Sequence, residues 1–135
     1  MPMVAADALH LPFAGGTFDA ATVSLGIRNV VDPTAALVEL ARVVRPGGRL
    51  VVCEVSTPTF APIRFLHRHV LLRAMTWLGR CFSSNPDAYG YLAESVLDWP
   101  AQREFARIIA GAGWRDVEWT NLTFGVVAIH TGTKA

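Results

Sequence analysis

A helical pattern that breaks abruptly into a β-branched run constrains this chain more than any other feature. Asp32-Pro33 reads as a helix start, with Asp32 as N-cap and Pro33 at the first helical position. Leu37, Leu40, Ala41 and Val44 then recur at i, i+3, i+4 and i+7, one apolar stripe suited to face a core. Pro46-Gly47-Gly48 stops the helix and turns the chain into Arg49–Val55, a Val- and Leu-rich strand ending at Glu54 and Ser56. Helix, tight turn and buried strand together form the repeating unit of α/β folds.

The same alternation runs through the rest of the chain. Met3 to Ala6 reads as the end of a strand, leading into a loop that holds Asp7, Pro12, Gly15 and Gly16. Phe18–Leu25 reads as a strand buried on both faces, because its apolar residues do not alternate cleanly. A helix-rich block follows from about Pro62 to Trp99, with Asn85-Pro86 as an internal restart. Gln102–Ala112 is a further helix, with Phe105, Ile108, Ile109 and Ala112 on one side. Two closing strands, Trp114–Asn121 and Gly125–Thr131, are joined through Leu122-Thr123-Phe124 in a hairpin-like connection. The expected architecture is β-α-β-α-β-β in one domain over 1–135: a mostly parallel α/β sheet, an antiparallel hairpin at its end, and inserted cap helices at about 60–99.

Composition narrows the classes. Hydrophobic residues make up 52% of the chain and charged residues 17%, enough to bury a core. The formal net charge of +1 supplies no argument for nucleic acid or an acidic partner. Cys53 and Cys81 are far apart and lack metal-ligand spacing, and Cys53 reads as a small buried hydrophobe. No basic segment leads into an apolar one at the start, and no stretch of about 18 residues is free of charge. The expectation is a cytoplasmic protein without a metal site. Met1-Pro2-Met3-Val4 reads as the tail of a strand whose earlier part lies outside this chain.

Five segments carry a resemblance. Asp7-Ala8-Leu9-His10-Leu11-Pro12-Phe13 followed by Phe18-Asp19, and Arg45-Pro46-Gly47-Gly48-Arg49-Leu50, resemble signatures around the middle strands of class I S-adenosylmethionine-dependent methyltransferases. Ser24-Leu25-Gly26-Ile27-Arg28-Asn29-Val30, Tyr89-Gly90-Tyr91-Leu92-Ala93-Glu94-Ser95-Val96 and Asn121 to His130 are more specific. Together they resemble the ubiquinone/menaquinone biosynthesis C-methyltransferase family. That resemblance implies S-adenosylmethionine as cofactor and a polyprenyl quinol, a demethylmenaquinol or benzoquinol, methylated on a ring carbon. It also implies an acidic glycine-rich motif after the first strand and an acidic residue after the second. Neither occurs here, so the expectation is a partial domain short of at least two βα units, roughly 60 residues at about 30 per unit. In the family's sheet order those strands lie between Met3 and Phe18, which would leave a central strand with an open edge.

The resemblance gives particular residues a role, and each has a structural reading beside it. Asp7 and Ala8, past a strand end, would meet the adenine amino group and a ring nitrogen; Asp7 also reads as a turn or capping aspartate. Ser24 would face the cofactor, or be a strand serine satisfied by backbone. Methyl transfer to carbon needs an electron-rich ring, made by deprotonating the quinol, and Arg28 with Asn29 as second donor would stabilise the developing oxyanion. The other reading of Arg28 is an arginine paired with a carboxylate beneath its loop, and unaided it is no base. His130, placed at the end of the last strand, is a candidate acid or base, or a structural strand histidine. Tyr89 and Tyr91 would line the quinol pocket, or be core rings.

Residues 63–82 hold Arg64, Arg68, Arg73 and Arg80, and no acid occurs between Glu54 and Asp87. With Phe65, Leu66, Val70, Trp77 and neighbouring apolar residues, this basic amphipathic stretch suits peripheral contact with an anionic membrane, or an ordinary lid with solvated arginines. A missing N-terminal partner chain, a homo-oligomer, a non-catalytic remnant and a methyltransferase for a different small substrate are the remaining alternatives.

Overall fold

The computed structural model describes residues 3–71, 73–74, 76–77, 81 and 86–135. Four strands form one sheet: β1 (Phe18–Ser24), β2 (Val44–Val55), β3 (Trp114–Leu122) and β4 (Val127–Lys134), in the order β1-β2-β4-β3. β1 and β2 run parallel, whereas β2–β4 and β3–β4 are antiparallel. Among the described residues the helices include α1 (Pro33–Val43), α2 (Ala61–Leu66) with a π-turn at His67–Leu71, α3 (Pro86–Asp98) and α4 (Gln102–Gly111).

α1 forms where its cap and stripe require. Asp32 accepts from the Ala35 N–H at 2.9 Å and Pro33 sits in the first turn. Such a cap contributes about 1 kcal/mol. The buried Leu37 and Ala41 then face inward, and Val43 closes the helix. The Pro46-Gly47-Gly48 turn is present as an excursion within β2. Phe18 pairs with Val44 and Ala20 with Arg49, so residues 45–48 oppose Asp19 alone. Gly47 takes φ +78, and Arg45 bonds Asp19 across the bulge at 2.9 Å. A Cβ on Gly48 would meet the Asp19 carbonyl oxygen at 2.6 Å, so only glycine lets β1 and the bulge close up.

The core lies on one face of the sheet. Leu50 and Val52 of β2 meet Leu37 and Ala41 of α1 and Phe105 and Ile109 of α4, with Trp114 and Ile27 closing the ends. Trp114 is 1% exposed and donates its indole N–H to the Leu37 carbonyl at 3.1 Å. That bond satisfies the one polar atom of the ring inside the core.

Three expectations need correction. Met3 to Ala6 is not a strand but exposed, unpaired chain, since none of the described strands lies beside it to share hydrogen bonds. β1 ends at Ser24 and is not buried on both faces; it pairs on one edge with β2, and Phe18, Thr22 and Ser24 are exposed. Cys53 is half-buried, because it points to the face opposite the core.

Candidate active site

Ligands of open α/β sheets bind at the carboxyl ends of parallel strands, and here those ends are Ser24 and Val55. Beyond Ser24 the chain turns sharply. Leu25 takes φ +51, a left-handed conformation rare for a branched residue, while its N–H still reaches the Cys53 carbonyl at 2.8 Å. A 3-10 turn, Ile27–Asn29, follows. Ile27 is 1% exposed and anchors the turn in the core, which presents Arg28 and Asn29 above the strand ends.

Arg28 is clamped. Its Nη1 donates to Oε1 of Glu54 at 2.5 Å and to the Leu25 carbonyl at 3.2 Å. The Arg28 side chain is 10% and the Glu54 side chain 2% exposed. The Glu54 carboxylate also accepts from the Val55 and Arg28 backbone N–H groups. A buried ion pair with its remaining acceptors filled holds its geometry firmly. Arg28 therefore takes the carboxylate-paired arrangement and fixes the loop from below, while its Nε stays buried without a partner. Asn29 is exposed, and its Oδ1 accepts from the Tyr91 hydroxyl of α3 at 3.4 Å. Three of the residues singled out from sequence thus meet at one loop: Arg28, Asn29 and Tyr91. The side chain of Tyr89 lies outside the described residues.

His130 is placed elsewhere. It sits in the middle of β4 opposite Val52, not at the strand end, because β4 continues to Lys134. The ring is edge-on to Phe105 at 5.0 Å and stacked on Trp119 at 6.1 Å, and the residue is 2% exposed. Its Nε2 donates to the Gln102 carbonyl at 2.9 Å, which leaves Nδ1 buried without a partner. Burial pushes its pKa below the ordinary histidine value, against the opposing pull of the Gln102 carbonyl. The structural reading of this histidine describes its surroundings.

Asp7, Ala8 and Ser24 are exposed. Asp7 Oδ1 accepts from the Leu9 N–H at 2.9 Å, and Oδ2 lies 3.7 Å from His10. The segment after it is tied to α1: Glu39 accepts from Leu11 N–H, and Arg42 donates to the Leu11 and Phe13 carbonyls. The Arg42 guanidinium and the Leu11 N–H pull the Glu39 carboxyl down to about 2. Ser24 pairs with Cys53 and points to the face opposite α1 and α4.

Two residues that sequence reasoning left out organise this end of the sheet. Glu54 carried a signal, as a lone acid closing an apolar strand. Gln102 carried none: its Nε2 bonds Thr57, Asn121 and Gly125 at 2.8, 3.1 and 3.4 Å, tying the segment after β2 to the end of β3 and the turn that follows it.

The fold defines a class. The chain superposes on an S-adenosylmethionine-dependent methyltransferase from Aquifex aeolicus with a TM-score of 0.64 and 14% identity, covering 99% of this chain and 55% of that one. A second such enzyme, from Thermotoga maritima, gives 0.61 and 20%, covering 95% and 61%. Residues 1–134 match the ubiE/COQ5 methyltransferase family, and the chain belongs to that family. It is 58% identical over 135 residues to a demethylmenaquinone methyltransferase of Mycolicibacterium vanbaalenii, and 55% identical to one of Streptomyces avermitilis. All of this chain aligns in both, but it spans only 59% and 58% of those relatives' lengths.

Proposed function

We propose that this chain is the substrate-facing part of a demethylmenaquinone methyltransferase. The observation that carries the reading is identity above half with relatives of that name along the whole chain. The loop geometry supports it. S-adenosylmethionine supplies an electrophilic methyl group when bound. The residues present fit its adenine end: the Asp7 side chain is 64% exposed, and the N–H of the exposed residue Ala8 makes no hydrogen bond among the described residues. Ser24 lies at the strand end where the cofactor would pass.

Asn29 is the donor best placed for the quinol. Because its carbonyl oxygen accepts from Tyr91, its amide N–H₂ remains to bond a quinol oxygen as negative charge grows there. Tyr91 holds the amide in that orientation and offers an exposed ring to the substrate. Arg28, neutralised by Glu54, holds the loop that carries Asn29. In the longer protein Asn29→Ala is expected to lower kcat about 100-fold, measured as labelled methyl transferred to demethylmenaquinol, with S-adenosylhomocysteine affinity unchanged. Full turnover in that variant would remove Asn29 from the reaction.

The cap supports a membrane-facing, cytoplasmic placement. Phe60, Phe65, Leu66, Val70 and Trp77 are all about half or more exposed, on the stretch that carries Arg64, Arg68 and Arg73. A polyprenyl quinol resides in the bilayer, and a basic aromatic surface suits anionic headgroups. Sedimentation with vesicles containing anionic lipid, lost when those three arginines become glutamine, is the check.

A second reading rests on the open edge of β1 and the lengths of the relatives: completion of the sheet by further polypeptide, in the same protein or in a partner chain. Calorimetry of S-adenosylhomocysteine tests this second reading, since binding to these 135 residues alone would make such completion unnecessary.

A further inference from the structure

Two cavities lie side by side in the cap, with neither Asn29 nor Tyr91 in their lining. The inner one, about 40 Å3, is lined by Ser56 and Thr57 beyond the end of β2 and by Arg64, His67 and Arg68. That volume admits a few small polar atoms and no ring. Ser56 is 4% exposed and its hydroxyl has no partner; His67 is 8% exposed. The outer cavity, about 420 Å3, is lined by Trp77, Ala93 and Leu97, with Arg68, His69 and Arg73 around it. This volume lies within the usual range of small-ligand sites, about 300–1,000 Å3. Arg68 and Leu97 line both, so the two cavities are direct neighbours.

The charge is one-sided. No Asp or Glu occurs from residue 55 to 86, and among the described residues no carboxylate pairs with Arg64, Arg68 or Arg73. Arg64 spends Nε and Nη2 on the Pro58 and Thr59 carbonyls, which fix the guanidinium without cancelling its charge. Two guanidinium groups, a buried hydroxyl without a partner and a buried imidazole form a compact set of donors. Such a set suits the three acceptor oxygens of a phosphate monoester. Beyond it the lining turns apolar, as a hydrocarbon chain requires.

We propose that the two cavities form a single site for a phosphate-headed amphiphile with one apolar chain. Its head lies among Ser56, Arg64, His67 and Arg68, and its chain passes Leu97 and leaves along Trp77. The lining includes neither Asn29 nor Tyr91, and the proposal does not depend on the methyltransferase reading. The unpartnered buried Ser56 hydroxyl is the main reason to place the head at the inner end, because a buried hydroxyl without a partner is costly.

The test uses the 135-residue chain and three probes below their aggregation limit: dodecyl phosphate, dodecanol and inorganic phosphate, titrated by calorimetry. Dodecyl phosphate is expected to bind at least tenfold more tightly than either of the others. Arg68→Gln should remove most of that affinity. Leu97→Trp, on a half-exposed helical position that folding tolerates, should abolish the gain from the chain while sparing the response to phosphate. Ser56→Ala should weaken dodecyl phosphate several-fold and leave dodecanol unchanged. Equal binding of dodecanol and dodecyl phosphate would overturn the site by showing an apolar pocket only. Equal binding of inorganic phosphate would overturn it by showing a free-anion site. Indifference to Arg68→Gln and Leu97→Trp, or no binding of any probe, would also overturn it.

Discussion

The two faces of the sheet are built to different standards. On one, Leu50, Val52, Glu54, Ala128 and His130 are buried beneath α1 and α4. On the other, Val51, Cys53, Val55, Val127 and Ile129 are half-buried and Ser24 and Thr120 are exposed; neither α1 nor α4 reaches this face. The first face alone supplies a closed core with a buried ion pair at its edge. The second is apolar but only half-buried among the described residues.

The sharpest way to break this contrast is to cut into each face and compare. Trp114→Ala or Phe105→Ala, on the covered side, is expected to cost about 3–5 kcal/mol by urea denaturation. Glu54→Ala should cost about 3 kcal/mol, because it leaves the Arg28 charge buried without its carboxylate. A value under about 1 kcal/mol would mean the pair is solvated and the loop is not clamped. Gly48→Ala forces β1 away from the bulge and should cost about 1–3 kcal/mol, read in the same assay.

Acid separates the faces by another route. Burial lowers the pKa of both His130 and His67, so each binds protons more weakly folded than unfolded. Their contribution is complete above about 6.5, the unfolded value, and stability should fall as pH drops below it. Glu39, held at about 2, contributes fully above its ordinary 4.5, and that contribution is lost as pH falls from 4.5 toward 2. A midpoint that falls between pH 6.5 and 4.5, and falls less in His130→Phe, is the expected result; a flat midpoint would mean that His130 is solvated. The smallest effect belongs to the open face: Val51→Thr and Val55→Thr should each cost less than about 1 kcal/mol.

Local grammar made several parts of this fold legible in the sequence. Asp32-Pro33 caps its helix where the pattern put it, but the helix ends at Val43, so Val44 belongs to β2 and Pro46-Gly47-Gly48 forms a bulge inside that strand rather than the turn that ends the helix. The Leu122-Thr123-Phe124 connection also joins two antiparallel strands, through residues with φ +48 and +56 at Thr123 and Phe124. At the site, the motif containing Arg28 and Asn29 and the one containing Tyr91 were visible, but their meeting was not. Gln102 gave no signal, since its partners are a loop, a strand end and a turn that only folding brings together.

The sequence by itself determined most of the elements and their order, because caps, breakers and periodicity act over a few residues, and its motifs carried the family resemblance. Tertiary structure decided which face and which edge each strand presents. It turned a strand expected to be buried on both sides into an edge strand, and it moved His130 from a strand end into the core. It also gave Arg28 to Glu54 and left Asn29 to face outward. Burial and pairing depend on which neighbours are present in space, and no local rule encodes those neighbours.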